Sequence, residues 1–327
     1  MTATPKPLTT SPGPATAQPP SPSVATPPNP SVATPPSPSV ATSSQITAEP
    51  ETGAGPAALG GRLESALRGA GRPLLGPYIT GGIAANWTDY LLAYQDGGAD
   101  VIEVGLPFSD PSLDGATIQQ ASGRALARGA TAETILADLA RIAPRLRVPI
   151  VVMTYANLVF RSSGFCRRLA AAGVSGLIVP DLPVDELGGL SAEADAAGID
   201  LVLLVSPATT PARLAEICAR GRGFVYAISV MGTTGERDAL ADSAGELAQR
   251  VKAVTDRPVL IGFGVSTPAQ AAEAGRVGDG AVVGAALMRR VLDGAAPADL
   301  RGDVAALRKA MEVSAATAHA EVSGHRG

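Results

Sequence analysis

The segment DVIEVGLPFSDPSLDGAT, residues 100–117, decides the fold of this chain. Its first half is a nearly continuous apolar run, which is typical of a parallel strand covered on both faces. Glu103 lies inside this run, and a carboxylate in apolar surroundings needs a partner or water because its desolvation is costly. The loop that follows brings Asp110 and Asp114 back to the end of the strand. The sequence therefore predicts a buried strand with three acidic side chains at its carboxyl end.

Seven further apolar segments have the character of a buried strand, and helical segments separate them. The predicted strands are 74–80, 100–106, 149–155, 176–182, 201–206, 223–229, 258–264 and 280–285. Strands that alternate with helices indicate a parallel α/β fold with right-handed crossovers. A doubly wound open sheet is the competing architecture, but its GxGxxG fingerprint is absent after the first strand. We therefore predict an α/β protein with a (β/α)8 TIM barrel, and we expect a short helix at 63–71 to plug its bottom.

The residues before the barrel have a different composition. Between 1 and 58 the only charged groups are Lys6, Glu49 and Glu51, and an eight-residue unit recurs as SPSVATPP, NPSVATPP and SPSVATSS at 21–44. Such a segment buries too little apolar surface to offset the entropy of ordering. We interpret it as a disordered Pro/Ser/Thr/Ala-rich tether, with a ligand for a proline-recognising domain as the alternative. The predicted domains are this extension at 1–58, the barrel at 59–313 and a C-terminal tail at 314–327.

Composition excludes several classes of protein. The net charge of -4 and the pI near 5.3 argue against a nucleic-acid partner. No apolar run reaches the length of a membrane span, and no secretory signal begins the chain. Cys166 and Cys218 have no metal-ligand spacing, and both histidines, His319 and His325, lie in the predicted tail. We therefore expect a cytoplasmic protein with buried thiols and no metal site, whose chemistry rests on carboxylates, hydroxyls and backbone amides.

Polar side chains follow several of the predicted strands at their carboxyl ends, where barrels place their active sites. They are Glu103, Asp114, Tyr155, Asn157, Asp181 and Thr234. Each acid taken alone also has an ordinary structural explanation, as a satisfied buried carboxyl or as a turn former beside proline. Their convergence from separate strands favours an enzyme.

Glycine-rich loops follow the last three predicted strands, at 232–235, 262–266 and 283–285. Glycine lets backbone amides approach an anion closely, and a helix N-terminus adds partial positive charge. Barrels commonly hold phosphate in the loops after strands seven and eight. The alternative is that these glycines only form turns. Together the three loops predict a ligand with a phosphorylated end.

Five segments of the chain resemble the alpha subunit of tryptophan synthase. They are PFSDPSLDGATIQ, YANLVF, VPDLPVDE, RGFVYAISVMGTTG and GFGVSTPAQ, and the resemblance covers about 74–294. It implies a lyase of tryptophan biosynthesis that cleaves indole-3-glycerol phosphate by a retro-aldol reaction to indole and glyceraldehyde 3-phosphate. It also implies Glu103 as general acid/base, Asp114 as acceptor of the indole N–H, and no metal or organic cofactor at this site.

The resemblance assigns further residues of the site. It implies an apolar slot for the indole ring made by Tyr78, Met153 and Phe263, with Tyr226 in the active site and with Thr234 bonding Asp114 when its loop closes. Tyr155 is predicted from its place at the end of strand three to contact the ligand. The phosphate would be bound by amides of Gly235, Gly264, Gly284 and Ala285. The chain departs from the family at Ala285, where a serine is frequent, and at 82–84, where Gly-Ile-Ala replaces Gly-Asp-Pro.

The resemblance also implies a partner. The family's alpha subunit pairs with a pyridoxal-phosphate beta subunit, and Pro107 and Asp110 match positions at that interface, so two alpha and two beta chains are expected. A free-standing lyase and a catalytically silent activating subunit are the alternatives. A sister barrel, indole-glycerol-phosphate synthase, uses a lysine as general acid, and no lysine lies between Lys6 and Lys252.

Overall fold

Eight parallel strands form a closed barrel in the computed structural model, which describes residues 62–161, 163–228, 237–262 and 264–324. Each strand pairs with the next one in the chain, and the last pairs with the first. The strands are β1 (Leu74–Thr80), β2 (Ile102–Gly105), β3 (Ile150–Met153), β4 (Gly176–Ile178), β5 (Asp200–Val205), β6 (Val225–Ile228), β7 (Val259–Gly262) and β8 (Gly280–Val283). The predicted TIM barrel is confirmed.

Helices surround the barrel. In the described residues they are α1 (Arg62–Arg68), α2 (Trp87–Asp96), α3 (Ala116–Ala127), α4 (Ala132–Ile142), α5 (Ala156–Phe160), α6 (Phe165–Ala171), α7 (Gly188–Ala197), α8 (Pro211–Arg220), α9 (Arg237–Lys252), α10 (Pro268–Val277), α11 (Ala285–Leu292) and α12 (Pro297–Gly324). Short 3-10 turns occupy Ala143–Arg145 and Val184–Glu186. No helix in this part of the chain is both long and apolar enough to cross a bilayer.

Several predicted strands extend one or two residues beyond the observed ones, and two boundaries differ by more. β4 ends at Ile178 instead of 182, because Pro180 has no N–H to donate to a neighbouring strand. α12 runs past 313 to Gly324, so the predicted tail at 314–327 is helical over most of its length. Its alanine content explains this, since alanine has the strongest helix preference. The predicted extension at 1–58 lies outside the described residues.

The bottom of the barrel is closed by α1. Leu63 and Leu67 of this helix are buried, and they belong to one cluster with the apolar side chains of the barrel interior. Leu63 lies over Gly176 and Gly223, at the starts of β4 and β6, where the missing side chains leave room for it. The predicted plug is therefore present. Among the described residues, these side chains fill the bottom of the barrel, and the cavity lies toward the carboxyl ends of the strands.

Asp100 holds the start of the segment 100–117 in place. Its Oδ2 accepts the backbone N–H of Leu75 at 2.8 Å, and its Oδ1 accepts Arg72 Nη2 at 2.9 Å. Arg308 of α12 forms a buried ion pair with the same carboxylate. Because Asp100 lies just before β2, these bonds fix the start of the strand that carries Glu103.

Replacing Gly280 with alanine is expected to lower the free energy of unfolding by roughly 2–3 kcal/mol. Gly280 begins β8 and pairs with Leu74 of β1, and an added Cβ would lie 2.2 Å from the Leu74 carbonyl oxygen. Backbone must move to relieve this clash, at the closure point of the barrel. Urea unfolding followed by circular dichroism measures the change.

Gly302→Ala is the matched control. Gly302 lies in α12 with no heavy atom within 4 Å of an added Cβ, so alanine is expected to leave stability unchanged or to raise it by roughly 0.5–1 kcal/mol. Equal unfolding midpoints for the Gly280 variant and the parent chain would contradict the packing described for β1 and β8.

Candidate active site

Glu103 lies in the middle of β2 and points into the barrel. It is level with Tyr78 of β1 and Val151 of β3, and its side chain is buried, at 3 % exposure. Its Oε2 has no hydrogen-bond partner in the described part of the chain. Burial, with a smaller contribution from the negative charge of Asp114, raises the pKa of Glu103 to about 8. Glu103 therefore carries a proton at neutral pH and can act as an acid.

Asp114 lies on the loop between β2 and α3, and two side chains hold that loop. The Tyr155 hydroxyl donates to Asp114 Oδ2 at 3.1 Å and accepts the Leu113 N–H at 3.2 Å. From the other side, Gln119 Nε2 donates to the Asp114 carbonyl at 2.8 Å. Burial raises the pKa of Asp114, while the bond from Tyr155 opposes that rise. Asp114 is thus fixed beside the mouth with a donor on its carboxylate.

Two buried tyrosines, Tyr78 and Tyr226, border the barrel interior beside the acids. Tyr78 bonds Thr80 Oγ1 at 3.2 Å, and burial raises the pKa of Tyr78 and of Tyr226, so both phenols are neutral. Each ring occupies space that a glycine leaves free: an added Cβ would lie 2.0 Å from the Tyr78 hydroxyl at Gly105, and 2.3 Å from Tyr226 Cε1 at Gly262. These glycines are needed for the rings to stand where they do.

Both acids line one cavity of about 160 Å³. Its lining residues are Tyr78, Glu103, Asp114, Gly115, Ile118, Met153, Tyr226, Gly264, Val265, Ser266, Val282, Gly284, Ala285 and Ala286. Two carboxyl groups and two phenols thus share a largely apolar space with the loops after β7 and β8. Such a cavity can hold a flat aromatic ring beside a proton donor and a charged acceptor.

The anionic end of a ligand fits best at the start of α11. Its N-cap residue is Gly284, which offers no side-chain bond to the first N–H groups of the helix, so those groups remain available to an anion. α10, in contrast, is capped internally: Gln270 Oε1 accepts the N–H groups of Ser266 and Thr267 at 2.9 and 3.1 Å. The two glycine-rich loops therefore differ in what they can bind.

Most of the predicted site residues that the structure describes come together. Tyr78, Glu103, Asp114, Met153, Tyr226, Gly264, Gly284 and Ala285 all line the cavity. Tyr155 does not line it and instead contacts Asp114, while Asp181 accepts the backbone N–H of Ala156 at 2.9 Å. Thr234, Gly235 and Phe263 lie outside the described residues.

Four apolar lining residues were missed by the sequence analysis: Ile118, Val265, Val282 and Ala286. Two of them could have been predicted from their positions in the sequence. Ile118 lies in the first turn of the helix that follows Asp114, and Val282 lies near the end of β8, two residues before Gly284. No group of three or more histidine, cysteine or acidic side chains in the described residues is placed to hold a metal ion.

Pro107 and Asp110 lie away from the cavity. Asp110 is exposed and accepts Ser109 Oγ at 2.7 Å, whereas Pro107 lines a groove of about 780 Å³ together with residues of α4 and α6. The groove contains neither Glu103 nor Asp114. A role of these two residues in binding a partner remains a prediction.

Comparisons with known proteins point to one family. The family model described as tryptophan synthase alpha chain matches residues 65–318. The tryptophan synthase alpha chain of Gloeobacter violaceus is 46% identical over 234 residues, which cover 70% of this chain and 84% of that protein. The one of Halorhodospira halophila is 44% identical over 260 residues, covering 76% and 94%. A structure of Mycobacterium tuberculosis tryptophan synthase is similar with a TM-score of 0.71 and 39% identity, covering 77% of this chain and 99% of that one.

Proposed function

This chain belongs to the tryptophan synthase alpha chain family, and we propose that the cavity between Glu103 and the start of α11 is its active site. The family is a lyase that cleaves indole-3-glycerol phosphate to indole, which passes to a beta subunit. One observation carries the proposal: both carboxyl groups line the same cavity as the uncapped N-terminus of α11. A substrate with a reacting ring at one end and a phosphate at the other matches that arrangement.

Glu103 and Asp114 have different tasks in this reaction. Glu103 gives its proton to C3 of the indole ring, and the carboxylate formed then takes the proton of the glycerol hydroxyl as the carbon–carbon bond breaks. The electron pair of that bond remains with the indole, and the hydroxyl carbon becomes the aldehyde. Asp114 accepts the indole N–H and stabilises the positive charge that develops on the ring. Glu103 ends with the number of protons it began with.

The binding contacts divide along the cavity. Tyr78, Met153 and Ile118 offer apolar surface to the indole ring, and the backbone amides at Gly284 and Ala285 face the phosphate. Gly264, with a φ of +87°, lies in the adjoining loop. The contacts assigned to Phe263, Thr234 and Gly235 complete the proposal. Because the amides make the phosphate bonds, alanine at 285 can replace the frequent serine with the loss of one hydroxyl donor.

The reaction as written needs no metal or organic cofactor in this chain, because acids and amides supply each proton and each charge. Pyridoxal phosphate belongs to the beta partner. We propose an assembly of two alpha and two beta chains, with Pro107 and Asp110 at the contact. A cytoplasmic location is supported by Cys166 and Cys218, which are both buried free thiols.

The purified full-length chain is expected to release indole and glyceraldehyde 3-phosphate in equal amounts from indole-3-glycerol phosphate. Adding a tryptophan synthase beta chain is expected to accelerate the release, since the two work together in this family. Indole is measured by chromatography and the aldehyde by a coupled dehydrogenase assay. Absence of indole with and without the beta chain would refute the proposed function, and full activity that the beta chain leaves unchanged would identify a free-standing lyase.

A further inference from the structure

We propose that Tyr155 is a positioning residue that keeps Asp114 charged beside a protonated Glu103. The inference rests on the proposed function of the two acids and goes beyond it. Tyr155 is not part of the cavity lining formed by the described residues, and its hydroxyl contacts the loop that carries Asp114.

The Tyr155 hydroxyl has two hydrogen-bond partners, and it can donate its proton to only one of them. The oxygen accepts the backbone N–H of Leu113 at 3.2 Å, and an amide N–H can only donate. The phenol proton is therefore available to Asp114 Oδ2, 3.1 Å away. A carboxylate that accepts such a bond is stabilised in its charged form.

The scaffold holds Tyr155 independently of the acid loop. Tyr155 lies two residues after β3, is the N-cap of α5 and is buried, and its ring stacks on Phe108 with centroids 5.0 Å apart. The next residue, Ala156, donates its N–H to Asp181 at 2.9 Å. The hydroxyl thus has a fixed place, and the loop of Asp114 is bound to it.

Glu103 has no matching donor. Its Oε2 is buried without a hydrogen-bond partner among the described residues, and the neutral phenols of Tyr78 and Tyr226 are the other titratable groups facing it. A negative Asp114 further disfavours a second charge nearby, in line with the raised pKa of Glu103. Asp181 is the other acid near Tyr155, and it is engaged by Ala156. Burial of Glu103 and the bond from Tyr155 to Asp114 therefore act together on the asymmetry of the pair.

Tyr155→Phe tests the inference, because phenylalanine keeps the stacked ring and removes only the hydroxyl. The pH dependence of kcat/KM for indole release is measured on the full chain. Without its donor Asp114 protonates more readily, so the acidic limb is expected to move to higher pH by about one unit. At neutral pH, kcat/KM is expected to fall about tenfold.

Tyr90→Phe is the matched control. Tyr90 donates to the Ala295 carbonyl at 2.8 Å outside the cavity, so its variant loses a comparable bond and both pH limbs are expected to stay in place. A loss in Tyr155→Phe that is the same at every pH would overturn the inference, because a merely structural role acts in that way. A parent chain that releases no indole would overturn the proposed function and the inference together.

Incorporation of 3,5-difluorotyrosine at Tyr155 gives a second test that does not depend on how the phenylalanine variant folds. The fluorinated phenol is a stronger hydrogen-bond donor and keeps the geometry of the bond to Asp114. The acidic limb is then expected to move to lower pH, opposite to the phenylalanine variant. An acidic limb that fails to move in this direction would contradict the role of Tyr155.

Discussion

Glu103→Gln is expected to lower kcat/KM for indole release about 10³-fold, within the range that general acid–base catalysis supplies. The amide has nearly the same shape as the carboxyl group, so it fills the same buried space on β2. It cannot release a proton to indole C3 or take one from the glycerol hydroxyl. Steady-state turnover of indole-3-glycerol phosphate measures the loss. Unchanged turnover in the variant would remove Glu103 from the mechanism.

Phosphate binding separates a chemical defect from a folding defect in that variant. The start of α11 does not depend on Glu103, so the Kd for glyceraldehyde 3-phosphate, measured by calorimetry, is expected to stay within about twofold. Arg289 of α11 bonds Thr117 Oγ1 of α3 at 2.9 Å, which keeps the two ends of the cavity together in the variant as in the parent chain. A simultaneous loss of turnover and of phosphate binding would indicate a disordered site.

Stability is expected to fall as pH rises from about 5 to 8 in the parent chain, and to fall less in the Glu103→Gln variant. The pKa of Glu103 is about 8 in the folded chain, above the ordinary value of 4.5 for a glutamate, because burial favours the neutral acid. Between these two values the folded state binds more protons than the unfolded state. The contribution of Glu103 is therefore complete below the lower pKa and is lost toward the upper one, at up to about 1.4 kcal/mol per pH unit.

Urea unfolding of both proteins at several pH values isolates this contribution. The buried Asp200, whose pKa is also raised by burial, remains in both proteins, so its effect cancels in the difference. The difference in unfolding free energy between parent and variant should shrink or change sign as pH rises. A difference that is constant from pH 5 to 8 would contradict the burial of an unpartnered carboxyl at Glu103.

The parts of the fold set by local pattern were predictable from the sequence. The apolar run of β2 and the short loop to α3 predicted acidic side chains at one end of the strand, and Glu103 and Asp114 do line one cavity. Spacing did not separate Asp114 from Asp110, and the family resemblance made that choice. β1 was predicted to its exact bounds because apolar residues fill it and a glycine pair follows it.

Features that depend on distant contacts were not predictable. Tyr155 was predicted to contact the ligand, but its hydroxyl donates to Asp114. This contact depends on where β3 ends relative to the loop after β2. The glycine-rich loops after β7 and β8 look equivalent in sequence. In the structure, however, Gln270 accepts the N–H groups of Ser266 and Thr267 after β7. At the departure from the family at 82–84, Ile83 is fully buried against the core, and the local backbone is closed by its N–H to the Thr80 carbonyl.

The plug formed by Leu63 and Leu67 has a kinetic consequence. Because these side chains fill the bottom of the barrel, we expect the substrate to arrive and both products to depart at the carboxyl ends of the strands. The next substrate molecule can then bind only after glyceraldehyde 3-phosphate has left the start of α11. Glyceraldehyde 3-phosphate should accordingly act as a competitive inhibitor. A protein that binds over the carboxyl ends of the strands would control how indole leaves the barrel.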